Sequence, residues 1–141
     1  MTKREPMDVL IYGDLVKAVD GICKRVFIER RPKVLSEETK DFLVIQIPTE
    51  TRGLVAGDFN FVQNGYGAIS IFTKAKTDGT LNVNTHGRLV QNVVDLFPIN
   101  GDHARMNIVG KRHWSEDGYG FQYTEIYFDL RTKVNANKKI D

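Results

Sequence analysis

The sequence predicts an α+β fold: a mostly antiparallel sheet with two amphipathic helices packed on one face. Three observations carry this. Two segments repeat apolar residues at three- and four-residue spacing, several others alternate apolar and polar residues with period two, and their order along the chain is helix, strand or loop, strand, hairpin, helix, hairpin.

The first helix is expected in "PMDVLIYGDLVKAVDGICKRVF", with Asp8 as N-cap. Ile11, Leu15, Ala18, Val19, Ile22 and Val26 form its apolar stripe. Gly13 and Gly21 each weaken it by about 1 kcal/mol relative to Ala, and Gly21 is a natural stop. "ICKRVFIERR" then leads into a short strand, and the polar, proline-containing "RRPKVLSEETK" reads as a surface loop. "DFLVIQIP" is apolar on both faces, as in a central strand covered on both sides, and Pro48 ends it.

After the turn-rich "TETRGLVAGD", the stretch "DFNFVQNGYGAISIFTKAK" predicts a hairpin turning at Asn64–Gly65, a pair suited to a type I′ turn. Its cationic end, Lys74 and Lys76, suits an edge or an exit from the sheet. The second helix is expected from Asn82 or Asn84, with Val83, Val90, Val94 and Phe97 in one row and Leu89, Val93 and Leu96 beside it; Pro98 and "NGDH" end it. "ARMNIVGKRHWS" and "FQYTEIYFDLRTKV" complete a hairpin across "SEDGYG". On the last strand Ile126, Phe128, Leu130, Thr132 and Val134 share one face, while Phe121, Tyr123, Tyr127, Asp129, Arg131 and Lys133 share the other. A bulge near Thr124–Glu125 would instead turn Phe121 and Tyr123 inward.

Size and composition bound the function. A chain of 141 residues suits one domain, 1–141, with fraying ends at 1–6 and 135–141. Twenty basic and 18 acidic residues leave a formal charge of +2, which gives no bulk argument for nucleic acid. A single cysteine, Cys23, excludes an internal disulfide and fits a reducing compartment. "MTKREPMDVL" lacks the apolar core of a signal peptide, and no apolar run reaches the ~18 residues of a membrane span, so a cytoplasmic soluble protein is expected.

Candidate chemistry is sparse. His86, His103 and His113 lack zinc-ligand spacing and read as surface or half-buried side chains. Cys23 reads as a small buried side chain. The cluster in "HWSEDGYG" is too close along the chain to assemble a triad and reads as a charged hairpin tip. The glycines match no phosphate-binding loop. No catalytic, metal or cofactor residue is assigned. Basic clusters interleaved with aromatics, "CKRVFIERRPK", "KAK" and "GKRHW", have the composition of a single-strand groove, though acidic residues lie among them. Without that bulge, the rings on the outer face of the last strand need either the second helix or another subunit, and a subunit contact suits them because aromatics carry much interface energy.

Taken in order, the amphipathic helix (Met7 to Val26), the strand "FLVIQIP", the strand ending in "ISIFTKAK", the helix "NTHGRLVQNVVDLF" and the closing "RHWSEDGYGFQYTEIYFDLRTKV" resemble the tail terminator (tail completion) proteins of long-tailed phages and prophages. Phe42 stands where such proteins usually carry a proline. The resemblance implies a homo-oligomeric ring, a hexamer on the tail, that binds the tail tube protein, stops tube polymerisation and presents a surface to a head-completion or neck protein. It implies a place at the tail–head junction of the virion after assembly in the host cytoplasm, with no cofactor, no membrane and no sequence-specific nucleic acid. Candidate contact residues are Arg30, Arg31, Lys33, Glu37 and Glu38 in the loop, and Phe121, Tyr123, Tyr127, Asp129 and Arg131 on the last strand. Two other classes remain open. A small α+β enzyme needs one of the histidines within hydrogen-bond reach of a carboxylate in a pocket. A nucleic-acid-binding domain needs a continuous basic face.

Overall fold

The computed structural model describes residues 7–30, 40–47, 64–76, 78, 80, 82–114 and 120–132. Helix α1 (Met7–Ala18) leads through a turn to strand β1 (Val26–Ile28). Strands β2 (Asp41–Gln46) and β3 (Asn64–Lys74), helix α2 (Val83–Val94), and strands β4 (Ile99–Asn100), β5 (Ala104–Trp114) and β6 (Phe121–Thr132) follow. The six strands form one sheet in the order β1-β2-β3-β6-β5-β4. Only β1 and β2 run parallel; the other neighbours are antiparallel. Both helices pack on the same face, so the α+β architecture is as expected.

Sequence period and sheet pairing agree over most of this frame. On β2, Leu43 and Ile45 join the helix-side core while Phe42 and Val44 face the other way, and all four are buried. On β6, Ile126, Phe128 and Leu130 lie under the helices. The β3–β6 register runs without interruption from Asn64↔Arg131 to Lys74↔Phe121, so there is no bulge at Thr124–Glu125. The irregularity falls on β5 instead, between Ile108 and Gly110. Phe121 and Tyr123 therefore stay on the face opposite Ile126.

Four expectations are corrected, and at Lys74 one of two alternatives is selected. Helix α1 ends at Ala18, well before Val26, because its ladder tightens: Asp20 donates to the Lys17 carbonyl and Ile22 to that of Val19, and Gly21 turns the chain with φ +86°. Asp8 lies within the helix and not at its cap. Asn64–Gly65 is not a turn, since both residues sit inside β3 opposite Arg131 and Leu130. The long β6 partner overrides the local preference of the Asn–Gly pair; the other arm of that expected hairpin, 58–63, lies outside the described residues. Lys74 leaves a strand flanked by β2 and β6, so it marks an exit and not an edge. Val83 opens α2 with its side chain exposed, and the buried row is His86, Leu89, Val90 and Val93. The loop 31–39, the tip 115–119 and the ends 1–6 and 133–141 also lie outside the described residues.

Each face has its own core. The helix side is mostly aliphatic, centred on Ile11, Leu15, Leu43, Ile45, Ile69, Ile71, Val93 and Ile126, with the Phe128 ring among them. Gly67 admits the Phe128 ring: a Cβ there would lie 2.5 Å from Phe128 and 2.7 Å from the Gln46 carbonyl oxygen. The opposite side carries an aromatic cluster of Phe42, Phe72 and Phe121 with Val44, Phe27 and Tyr123.

Candidate functional site

The outer face of β6 divides into two halves. At its start, Phe121 is only 6% exposed and sets its ring edge-on to Phe42 at 5.3 Å. Phe42 stacks on Phe72 at 4.5 Å, and Tyr123 stacks on Phe72 at 5.0 Å. Two of the three rings that the sequence places on this face thus belong to a core within the chain. Beyond them the face opens. Tyr127 is half-buried opposite Ala68, and burial together with the neighbouring Glu125 carboxylate raises its phenol above the ordinary value. Asp129 accepts from the Asn107 N–H at 3.2 Å, Arg131 is exposed, and Tyr66 lies opposite Asp129 with its ring exposed. Tyr66 was missed because a hairpin phase was assigned to its strand.

Of the loop candidates, Arg30 is exposed just past β1, and Arg31, Lys33, Glu37 and Glu38 lie outside the described residues. Arg30 follows edge strand β1, whereas Asp129 and Arg131 sit on β6, three strands across, or about 14 Å. The structure does not bring them together.

A second surface lies where α1 meets β1. Ile28, Ile45, Ile69 and Ile126 fall opposite one another across four adjacent strands on the helix side. The inner three are fully buried, but Ile28, at the edge, is 46% exposed. It opens onto a groove of about 700 Å³ lined by Val9, Tyr12, Gly13, Val16 and Lys17 of α1, with Asp20 and Glu29 at its rim. Val9 and Val16 are 53% and 40% exposed. Glu29 leaves the strand in the left-handed region, φ 73°, a conformation costing on the order of 1 kcal/mol for a residue with a Cβ. Its N–H donates to the Ile45 carbonyl at 2.8 Å and its carbonyl accepts from Gln46 Nε2 at 2.6 Å, which pins it there. The sequence signal was available: Val9 and Val16 lie seven residues apart, off the buried stripe of α1, so that helix is apolar on two sides.

The histidines occupy three different environments. His103 donates its backbone N–H to Asp14 Oδ2 at 2.7 Å and its Nδ1 lies 2.8 Å from Oδ1; the Ala104 N–H also donates to Oδ2, at 3.2 Å. The buried Asp14 carboxylate thereby fastens α1 to the turn before β5, beside a small cleft of about 290 Å³ lined by Lys17, Ala18, Ile99 and Gly101. His86, expected at or near the surface, is 5% exposed. Its Nδ1 lies 2.7 Å from the Thr73 hydroxyl and its Nε2 2.7 Å from that of Thr124. Burial, and secondarily the charge His113 can carry, push its pKa down to about 4. His113 is exposed on β5, with Nδ1 2.8 Å from the same Thr124 hydroxyl.

Cys23 is buried and donates to the Arg25 carbonyl at 3.6 Å; burial pushes its thiol pKa up, which suits packing and not nucleophilic attack. Among the described residues, no group of three His, Cys, Asp or Glu side chains is placed to hold a metal ion, and no helix is long and apolar enough to cross a membrane. Strand alternation sends Lys111 and Arg112 to opposite faces of β5, so the "GKRHW" cluster does not add up to one basic surface.

No protein-family model matches the chain, and no curated protein does. A solved structure known only by a serial designation is similar over 89% of this chain and 95% of its own, with a TM-score of 0.56 and 14% identity. At that identity the similarity speaks to the fold alone.

Proposed function

We propose that this chain is a phage or prophage virion assembly protein, a ring subunit that caps the tail tube, stops its polymerisation and offers the surface for head joining. The observation that carries the reading is the isoleucine row that leaves the core and ends exposed in the α1–β1 groove. An apolar row running into an edge groove rimmed by charge is the layout of a protein contact with an apolar centre and a polar rim. A ring requires a heterologous contact, with one patch meeting a different patch on the next copy, and the groove at β1 and the open end of β6 around Tyr66, Asp129 and Arg131 are two such separate patches. The test adds the purified chain to polymerising tail tube protein. The reading predicts tubes that stop growing and carry a ring of defined mass at one end. Undiminished tube growth, with the chain monomeric at every concentration, contradicts it.

A second reading has one observation in its favour. Asp14 and His103 meet at hydrogen-bond distance beside the 290 Å³ cleft, which is the carboxylate–histidine geometry a small enzyme needs. Both Asp14 oxygens are already engaged by the backbone and ring of the turn they anchor, and the cleft sits at the lower limit of ordinary ligand sites. A small acid or amide that binds there and is lost in His103→Gln would favour the enzyme.

A further inference from the structure

Thr124 stands between two imidazoles. Its hydroxyl oxygen is 2.7 Å from His86 Nε2 and 2.8 Å from His113 Nδ1, and the far side of His86 meets the Thr73 hydroxyl at 2.7 Å. The two rings lie edge to face with centroids 5.3 Å apart. A hydroxyl carries one hydrogen and can donate it to only one of the two nitrogens. That single hydrogen couples the protonation of the two histidines.

The donor and acceptor count has few solutions. With a neutral His113 presenting a lone pair at Nδ1, the Thr124 hydroxyl donates to it, His86 donates from Nε2 to the Thr124 oxygen, and Thr73 donates to His86 Nδ1. Protonation of His113 places a hydrogen on its Nδ1, and that hydrogen must go to the Thr124 oxygen. The Thr124 hydrogen then has His86 Nε2 as its acceptor, so Nε2 must be bare and the His86 hydrogen must sit on Nδ1, where it donates to the Thr73 oxygen while the Thr73 hydroxyl hydrogen turns away from the ring. If both rings were charged, two N–H groups would point at one oxygen and the hydroxyl hydrogen would lose its acceptor among these groups. Like-charge repulsion opposes that state as well.

We infer that Thr73, His86, Thr124 and His113 form a tautomer relay, in which protonation of the exposed His113 reverses the Thr124 hydroxyl and moves the His86 hydrogen from Nε2 to Nδ1 while His86 stays neutral. The relay links solvent at β5 to the buried seam between α2 and the sheet, and it does not depend on the assembly reading. Few other charges face this seam among the described residues. Arg88 is exposed on α2, and Lys111 is exposed on β5 two residues before His113, on the same side. The sequence neighbours Lys74 on β3 and Glu125 on β6 alternate to the other face. Depression of the His86 pKa by burial and by His113 agrees with a pair that takes up one proton and resists the second.

The test is a pH titration of the full-length chain followed by long-range 1H–15N spectra of its imidazoles. Over the interval in which His113 gains its proton, His86 Nδ1 should change from a bare to a protonated nitrogen and Nε2 should do the reverse, with the ring neutral throughout. Thr124→Val should abolish this response while His113 still titrates, and Thr124→Ser should preserve it. If Thr124→Val does not fold, His113→Ala replaces it and should hold His86 in one tautomer at every pH. A His86 tautomer that stays constant while wild-type His113 titrates overturns the relay, as does a response that survives Thr124→Val or His113→Ala.

Discussion

On the helix side of the sheet, aliphatic side chains from five strands and two helices interlock, and each helix threads one buried polar group among them: Asp14 from α1, and His86 from α2, which meets the buried Thr73 and Thr124 hydroxyls of the sheet. On the other side a few rings do the corresponding work, with Phe42 at the centre touching Phe27, Phe72 and Phe121. The aliphatic side spreads its contacts and ties its helices down with directional hydrogen bonds, whereas the aromatic side concentrates its packing on one ring. The first should lose stability in steps as its parts are removed, and the second all at once.

The largest effect should come from Phe42→Ala, which removes the ring around which the other three are arranged. A loss of about 3–5 kcal/mol is expected from the transfer and cavity costs of a buried phenylalanine, read by denaturant unfolding. Asp14→Ala should follow at about 2–3 kcal/mol, because it leaves the His103 and Ala104 N–H groups without their carboxylate acceptor. Hydrogen exchange should show the Gly101–Ala104 turn opening while the aromatic side keeps its protection.

The pH dependence of stability separates the faces further. His86 binds its proton more weakly folded, at about 4, than at its ordinary 6.5. Between those values the unfolded chain binds more protons, so stability is fullest above pH 6.5 and falls as pH drops toward 4. This contribution, about 3 kcal/mol, should vanish from the pH profile of unfolding in His86→Gln. The aromatic cluster has no such group at its centre, so a Phe42 variant should keep the pH-dependent component.

Much of the fold could be read from periodicity. The two-sided burial of "DFLVIQ", the alternation of β6 and the α2 row at 89, 90 and 93 all follow from side-chain direction. His86 was within reach too, three residues before Leu89 on the same stripe, but polarity argued against placing it inside. What makes its burial tolerable is a pair of hydroxyls on β3 and β6, 13 and 38 residues away, which a local pattern cannot reveal. Asn64–Gly65 failed in the opposite way: a strong local turn signal yielded to pairing with a strand some 65 residues later. The groove was only half legible. Val9 and Val16 were visible as surplus apolar positions on α1, but their meeting with Ile28 depends on β1 pairing in parallel with β2 at the sheet edge.

The smallest expected effect on folding belongs to the groove, and it bears most directly on function. Val16→Asp changes an exposed side chain, so stability should move by no more than about 0.5 kcal/mol. The deciding measurement is the mass of wild type and Val16→Asp by light scattering in the presence of tail tube protein. The proposed function predicts a wild-type ring on the tube end and a folded Val16→Asp chain that remains monomeric. A Val16→Asp chain that forms the same ring, or a wild type that forms none, contradicts it.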